Sequence, residues 1–159
     1  MRQLIGGVIL LLCSSCGFHL RGMQYLSPDF NHVALIIQKA EPDLEPLLRE
    51  QFAAFHRTIT ADPTHAKYWL IIENDKLNQS IASISSSTTP RQYILTYTLN
   101  FKLTKTGETI ISQPIIVSRQ LTINSDRILG SNDEEQHIVH EMHQAAIFRL
   151  FDQIGKLIK

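Results

Sequence analysis

Two cysteines near the start of the chain have the spacing that most readily points to chemistry. Cys13 and Cys16 flank two serines in the stretch LCSSCG, directly after an apolar run from Leu4 to Leu12. This spacing is compatible with half of a metal site, a redox pair, a disulfide, or a point at which the chain is cut and lipidated. Because each possibility implies a different compartment, the neighbouring residues have to separate them.

The first residues have the order of a secretory signal. Arg2 precedes the apolar run, and the small residues Ser14 and Ser15 stand just before Cys16. The run is too short for a membrane-spanning helix, which needs about 20 apolar residues. The sequence around Cys16 resembles a bacterial lipobox, so we predict a lipoprotein signal peptide over residues 1–15, cleavage between Ser15 and Cys16, and lipid attachment at Cys16. The alternative is a plain signal peptide with incidental cysteines.

A second candidate for chemistry is HIVHEMH, residues 137–143. A zinc hydrolase of the His-Glu-x-x-His type needs two histidines four residues apart, because they must share a helix face. His140 and His143 are only three apart, and His137 with Glu141 has the right offset but supplies only one histidine. We predict no metal ligand and no catalytic residue, and expect a solvated or partner-facing flank. The alternative function is a periplasmic metal-dependent hydrolase that uses His137, His140 and His143.

Length and charge narrow the possible domain organisation and classes of function. The 159 residues have room for one domain with a single core, which we place at residues 16–159. Fifteen basic residues balance fifteen acidic ones, so the sequence predicts no nucleic-acid partner. Glycines are scattered and no nucleophile elbow is present, so we expect a protein that is not an enzyme and has no cofactor.

Hydrophobic spacing predicts the elements that must position any site. An apolar run at 33–37 indicates a covered strand, and a helical pattern over 44–56 follows, with Asp43 as its cap. Three more strands are predicted, from Tyr68 to about residue 83, over 92–104, and over 111–123. A capping box, Ser131 with Glu134 or Asn132 with Glu135, would open a last helix that ends near 157. The fold class is therefore α+β, with two helices packed on one face of a four-stranded, mostly antiparallel sheet.

The strand QYILTYTLNFKLT, residues 92–104, alternates between apolar and polar side chains, with Ile94 as the one exception. One face therefore enters the core, and the other carries polar residues that we expect to face outward. Pro114 in the next strand indicates a sheet edge or a bulge. Arg119 falls in phase with the apolar side of that strand, which leaves three possibilities: a bulge that turns it outward, a stem laid over the core edge, or a guanidinium that meets a lipid phosphate.

Three stretches in this order resemble the LPS-assembly lipoprotein family LptE, also called RlpB. They are residues 16–22 (CGFHLRG), residues 93–100 (YILTYTLN) and residues 132–142 (NDEEQHIVHEM). The resemblance implies an outer-membrane lipoprotein, held by its lipid anchor, that forms a heterodimer with the β-barrel translocon LptD. It also implies that the protein plugs the barrel, assists its assembly and binds lipopolysaccharide.

The resemblance also directs attention to particular residues. Lipopolysaccharide contacts in this family are basic residues near the ends of the sheet, and Arg91 and Arg127 are neighbours of those positions. With Arg119 they are the candidate lipopolysaccharide contacts. A barrel lumen is polar, so the candidates to face it are the polar residues of the alternating strand, namely Gln92, Thr96, Thr98 and Asn100.

Overall fold

The computed structural model describes residues 26–27, 30–84, 90–122 and 128–158, and at residues 84, 90–91 and 128–132 it describes the backbone only. The elements, in chain order, are β1 (His32–Ile37), α1 (Leu44–Ala54), β2 (Thr58–Thr60), a short 3-10 helix (Pro63–His65), β3 (Tyr68–Ile84), β4 (Pro90–Lys105), β5 (Glu108–Thr122) and α2 (Ile128–Leu157). The predicted cleavage site, Ser15 and Cys16, lies outside the described residues.

The described strands form one five-stranded mixed sheet in the order β2-β1-β3-β4-β5. β1 pairs in parallel with both β2 and β3, whereas β3, β4 and β5 form an antiparallel meander. The α+β class with two helices is confirmed. The prediction of four mostly antiparallel strands is wrong by one strand, because β2 is only three residues long and carries no readable alternation. Its pairing with β1 is a tertiary contact that sequence spacing cannot show.

The alternating strand behaves as predicted. On β4, Leu95, Tyr97, Leu99 and Leu103 are fully buried, and the intervening polar residues remain partly exposed. β5 lies at the sheet edge, so the edge interpretation of Pro114 is confirmed. The bulge interpretation is wrong, because the β4–β5 register runs without a shift from Gln92 opposite Thr122 to Leu103 opposite Ile111.

Both helices cover the same face of the sheet and share one core with it. α1 contributes Leu44, Leu48 and Phe52, all of which have no exposed surface. α2 contributes a stripe of buried side chains: Met142, Ala146, Ile147, Leu150, Phe151 and Ile154. Within the described ranges, neither helix is long and apolar enough to cross a membrane.

The helix ends differ in part from the predictions. α2 begins at Ile128, so both capping-box predictions are wrong: Ser131 and Asn132 lie inside the helix. Asp43 does occupy the N-cap of α1, but its side chain makes no capping hydrogen bond. The predicted end near residue 157 is confirmed: α2 ends at Leu157, which is half exposed, and the next residue, Ile158, is buried.

Candidate functional site

The sheet face opposite the helices carries the polar side chains of β4. It includes the four residues predicted to face a partner, Gln92, Thr96, Thr98 and Asn100, each of which is partly exposed. The amide Nδ2 of Asn100 donates to Oδ1 of Asn74 at 2.8 Å, and the hydroxyl of Ser83 donates to Oε1 of Gln92 at 3.0 Å. These cross-strand bonds join β3 to β4, so the surface is a rigid polar wall. Below we call it the open face.

The open face also carries charge and some apolar surface. Lys102 lies 3.2 Å from the Glu73 carboxylate, so this cation is already paired. Ile94 and Ile116 are 40% and 52% exposed, and their strand positions place them on the same side as Thr96 and Thr98. The open face is therefore mixed, with a polar middle and scattered apolar side chains, as suits a wet contact surface rather than a core.

Only one of the three candidate lipopolysaccharide contacts has a described side chain. Arg91 is described by its backbone alone, at the start of β4, and Arg127 lies outside the described residues. Arg119 pairs across the strands with Leu95 and remains exposed. It therefore stays on the helix side of the sheet, not on the open face, and no bulge turns it outward.

Arg119 borders a shallow groove of about 540 Å³. Its Nη1 donates to the Ser118 carbonyl at 3.1 Å, which leaves the rest of the guanidinium available to a ligand. The groove also holds the ring of Phe148, which is 58% exposed, and the carboxylate of Glu141. A cation beside an exposed ring can meet a phosphate and an acyl chain together, although Glu141 opposes an anion.

The three histidines of HIVHEMH do not converge. Nε2 of His137 lies 3.3 Å from Glu141, and Nε2 of His140 lies 3.1 Å from the Gln144 amide. His143 turns inward instead. In the part of the chain that the structure describes, no three His, Cys, Asp or Glu side chains are grouped so that they could hold a metal ion. These residues therefore give the metal-hydrolase alternative no donor set.

His143 corrects the prediction of a solvated flank. It is only 3% exposed, and its ring lies 4.5 Å from the ring of Tyr97. Burial lowers the pKa of His143 despite the opposing charges of Asp75, Asp43 and Glu41. The imidazole is therefore held neutral at pH 7. Its Nδ1 is buried and has no hydrogen-bond partner among the described residues.

Asp75 ties three parts of the fold together beside His143. Its Oδ2 accepts from the Tyr97 hydroxyl at 2.7 Å, and its Oδ1 accepts from the backbone N–H of Glu41 at 2.9 Å. Burial, followed by the Asp75 contact, raises the pKa of Tyr97 above its ordinary value, so the phenol remains a donor. The cluster Asp75, Tyr97 and His143 thus joins the β1–α1 connection to β3, β4 and α2.

Sequence reasoning missed this cluster. The inward positions of β3 are even up to Ile72, but the register shifts between Ile72 and Asn74, after which odd positions turn inward. The available signal was Leu77, an apolar residue in the new phase, which Asp75 shares. An acidic residue in the inward phase of a strand indicates a buried partner.

A second cluster holds the segment before β1. The guanidinium of Arg57 donates to the Leu26 carbonyl at 2.6 Å and to Oδ1 of Asn31. Since both acceptors precede β1 and Arg57 directly precedes β2, Arg57 ties the segment before β1 to the start of β2.

The chain is similar to known proteins in both sequence and fold. The sequence model of the family LptE, described as lipopolysaccharide-assembly, matches residues 28–154. The fold is similar to that of uncharacterized lipoprotein B from Nitrosomonas europaea, with a TM-score of 0.72 and 21% identity over 87% of this chain and 90% of that one. It is also similar to rare lipoprotein B from Shewanella oneidensis, with a TM-score of 0.71 and 21% identity over 79% and 95% of the two chains. No curated protein matches the chain.

Proposed function

Because this chain belongs to the LptE lipopolysaccharide-assembly family, we propose that it is a lipid-anchored outer-membrane lipoprotein that plugs the LptD barrel. In this role it assists assembly of the barrel and binds lipopolysaccharide during insertion at the cell surface. The family membership carries the proposal. The geometry of the described residues supports the assignment of each task to a surface.

Anchoring is assigned to Cys16. Its lipobox-like context and the signal anatomy before it support cleavage after Ser15 and acylation of the new terminus. A single acyl chain holds a protein only marginally, whereas several chains hold it durably. With Cys16 acylated and Cys13 removed with the signal, no thiol remains for a disulfide, and the fold depends on its core alone.

The open face is the surface that we assign to the barrel. Gln92, Thr96, Thr98 and Asn100 suit a lumen that is polar and water-filled unless plugged. A plug also has to keep its shape, and the cross-strand bond between Asn100 and Asn74 supports this. In this proposal the open face contacts the inner wall of the LptD barrel, and its polar side chains stay partly hydrated at that contact.

Lipopolysaccharide binding is assigned to the basic candidates, of which Arg119 has a described environment. Its guanidinium can bind a lipid phosphate through two parallel N–H donors, a geometry that lysine does not offer. The exposed ring of Phe148 in the same groove offers apolar surface to an acyl chain. Arg91 and Arg127 remain candidates by their sequence positions.

The decisive experiment is purification of affinity-tagged LptD in mild detergent from cells that produce this chain. We expect the chain to co-elute with the barrel in equal amount, and Cys16→Ser to leave the membrane fraction when LptD is absent. Thr98→Arg on the open face should reduce co-elution, because a charged side chain replaces a small hydroxyl at the proposed wall. The matched control is Ala53→Arg on the exposed side of α1, which should co-elute normally.

Lipopolysaccharide binding is read from the same preparation. Arg119→Ala should keep the barrel but carry about tenfold less lipopolysaccharide, the effect of losing one charge-assisted contact of about 1.4 kcal/mol. Recovery of the chain without any barrel would contradict the partnership. Unchanged lipopolysaccharide content in Arg119→Ala would contradict only the assignment of that residue.

A further inference from the structure

β3 is much longer than the strand that pairs with it on the β1 side. Pairing with β1 ends at Ile37 opposite Ile72, and the last backbone bond on that side runs from Gln38 N–H to the Ile72 carbonyl at 2.9 Å. Across the described ranges, no strand continues beside residues 74–83. This leaves about 30 Å of strand edge, at about 3.3 Å per residue, with main-chain donors and acceptors facing away from β4.

The two other sheet edges are blunted. β2 is only three residues long. On β5, Pro114 removes one main-chain donor, and Nη1 of Arg149 donates to the Ile116 carbonyl at 2.5 Å. Short strands, proline and occupied edge groups are the means by which proteins keep an edge from accepting another strand. Residues 74–83 have no proline, and only Lys76 resists pairing there.

An acidic groove lies beside the start of this free edge. It has a volume of about 640 Å³ and is lined by Asp43, the N-cap of α1, and by α2 residues that include Glu135 and His143. The groove reaches β3 through His143, which contacts Tyr97, whose hydroxyl is bonded to Asp75. A strand added beside β3 would place alternate side chains on the helix side of the sheet, and those next to Asp75 would lie nearest the groove.

We propose that the free edge of β3 binds an extended segment of a partner polypeptide that carries Lys or Arg at alternate positions. Main-chain bonds to residues 74–83 provide the affinity, and the groove selects the side chains. Asp43 and Glu135 favour basic side chains on the groove side. Lys76 pairs with Thr98 and so lies on the open face, where it disfavours basic residues. The proposal stands on the edge and the groove, and does not depend on the partnership with LptD.

The test uses the full chain in an uncharged maltoside detergent and a fluorescent nine-residue peptide of alternating Lys and Val. We expect saturable binding by fluorescence anisotropy, and slower hydrogen exchange at the amides of residues 74–83 in the presence of the peptide. A peptide of alternating Glu and Val should bind at least about tenfold more weakly, because it brings like charge to Asp43 and Glu135.

Two variants test whether Asp43 and Glu135 cause the preference for a basic peptide. Asp43→Asn together with Glu135→Gln should weaken Lys–Val binding about fivefold at low salt, a modest loss because exposed ion pairs are individually weak. Asp43 makes no capping bond, so its replacement should leave α1 intact. The matched control is Glu108→Gln in the β4–β5 hairpin, which removes an exposed carboxylate far from the groove and should bind the peptide normally.

Three results would overturn the proposal. One is the absence of saturable binding by the Lys–Val peptide. Another is binding with exchange protection confined to amides outside residues 74–83. The third is an equal loss of binding in Glu108→Gln, which would mean that the peptide responds to overall charge and not to this groove.

Discussion

At the scale of single residues, His143 has the most consequential environment. It follows two exposed histidines on the same helix, yet it is only 3% exposed and packs against Tyr97. Its neighbours of opposite charge, Asp75 and Asp43, only partly offset the cost of charging a buried ring. The folded protein therefore resists protonation of His143, whereas the unfolded chain does not.

This resistance makes stability depend on pH. Since the pKa of His143 is lowered on folding, the unfolded chain takes up a proton near the ordinary pKa of about 6.5 before the folded chain does. The free energy of unfolding therefore has its full value above that pH. It falls as the pH drops toward the lowered pKa of the folded state. We expect urea titrations between pH 7.5 and 5 to show a loss of stability at the lower pH that His143→Phe removes.

The matched control is the same substitution at His137, which is exposed. His137→Phe should keep the pH dependence of the original chain. An unchanged slope in His143→Phe would mean that other groups cause the loss at low pH.

At the scale of elements, the hairpin between β4 and β5 shows how a turn sets register. Lys105 pairs with Glu108, so Thr106 and Gly107 form a two-residue loop, and both have positive φ, at 49° and 89°. Two-residue hairpins of this kind favour Asn-Gly, because Asn and Gly tolerate the left-handed region. Thr is β-branched, and at this position it is strained.

The turn predicts opposite effects for two substitutions. Thr106→Asn should raise the free energy of unfolding by about 0.5–1 kcal/mol, because it relieves backbone strain and keeps the N–H bond to the Lys67 carbonyl. Gly107→Ala should lower it by about 1 kcal/mol. A Cβ at Gly107 meets nothing within 4 Å, so any loss there comes from the backbone alone. Chemical denaturation measures both, and a stabilising Gly107→Ala would contradict the assignment.

At the scale of the whole molecule, a group of aromatic rings joins the two helices. The ring of Phe52 on α1 has no exposed surface and lies 4.9 Å from Phe151 of α2 and 6.3 Å from Phe30, just before β1. Without a disulfide in the proposed mature protein, such contacts have to hold the helical layer to the sheet.

The size of this contribution can be measured. Phe52→Ala should cost about 3–5 kcal/mol, the usual range for removing a buried aromatic ring, and should loosen α1 and α2 together. Phe148→Ala is the matched control: its ring is 58% exposed, so its removal should change stability by about 0.5 kcal/mol or less. Equal losses of unfolding free energy in urea titrations of the two variants would show that the buried rings do not hold the two helices together.

Local spacing was enough for much of the fold. The alternation of β4 and the amphipathic stretches of both helices follow from side-chain periodicity, and both are confirmed. The edge position of Pro114 is also confirmed, as one of the two alternatives that its missing main-chain donor left open. The start of α2 was not predictable in the same way: Ser131 and Asn132 have the chemistry of caps, but the helix continues through them to Ile128. Capping signals are weak local preferences that tertiary packing overrides.

The sequence by itself determined which side chains share a face, and, through the lipobox-like start and the family resemblance, the expected anchor and role. Only the tertiary structure decided that β2 pairs with β1, that His143 is buried on Tyr97, that Arg119 stays on the helix side, and that β3 extends past its neighbour. The physical reason is that periodicity reports the direction of each side chain. How far neighbouring strands overlap, and which groups meet across the core, depends on contacts between distant parts of the chain.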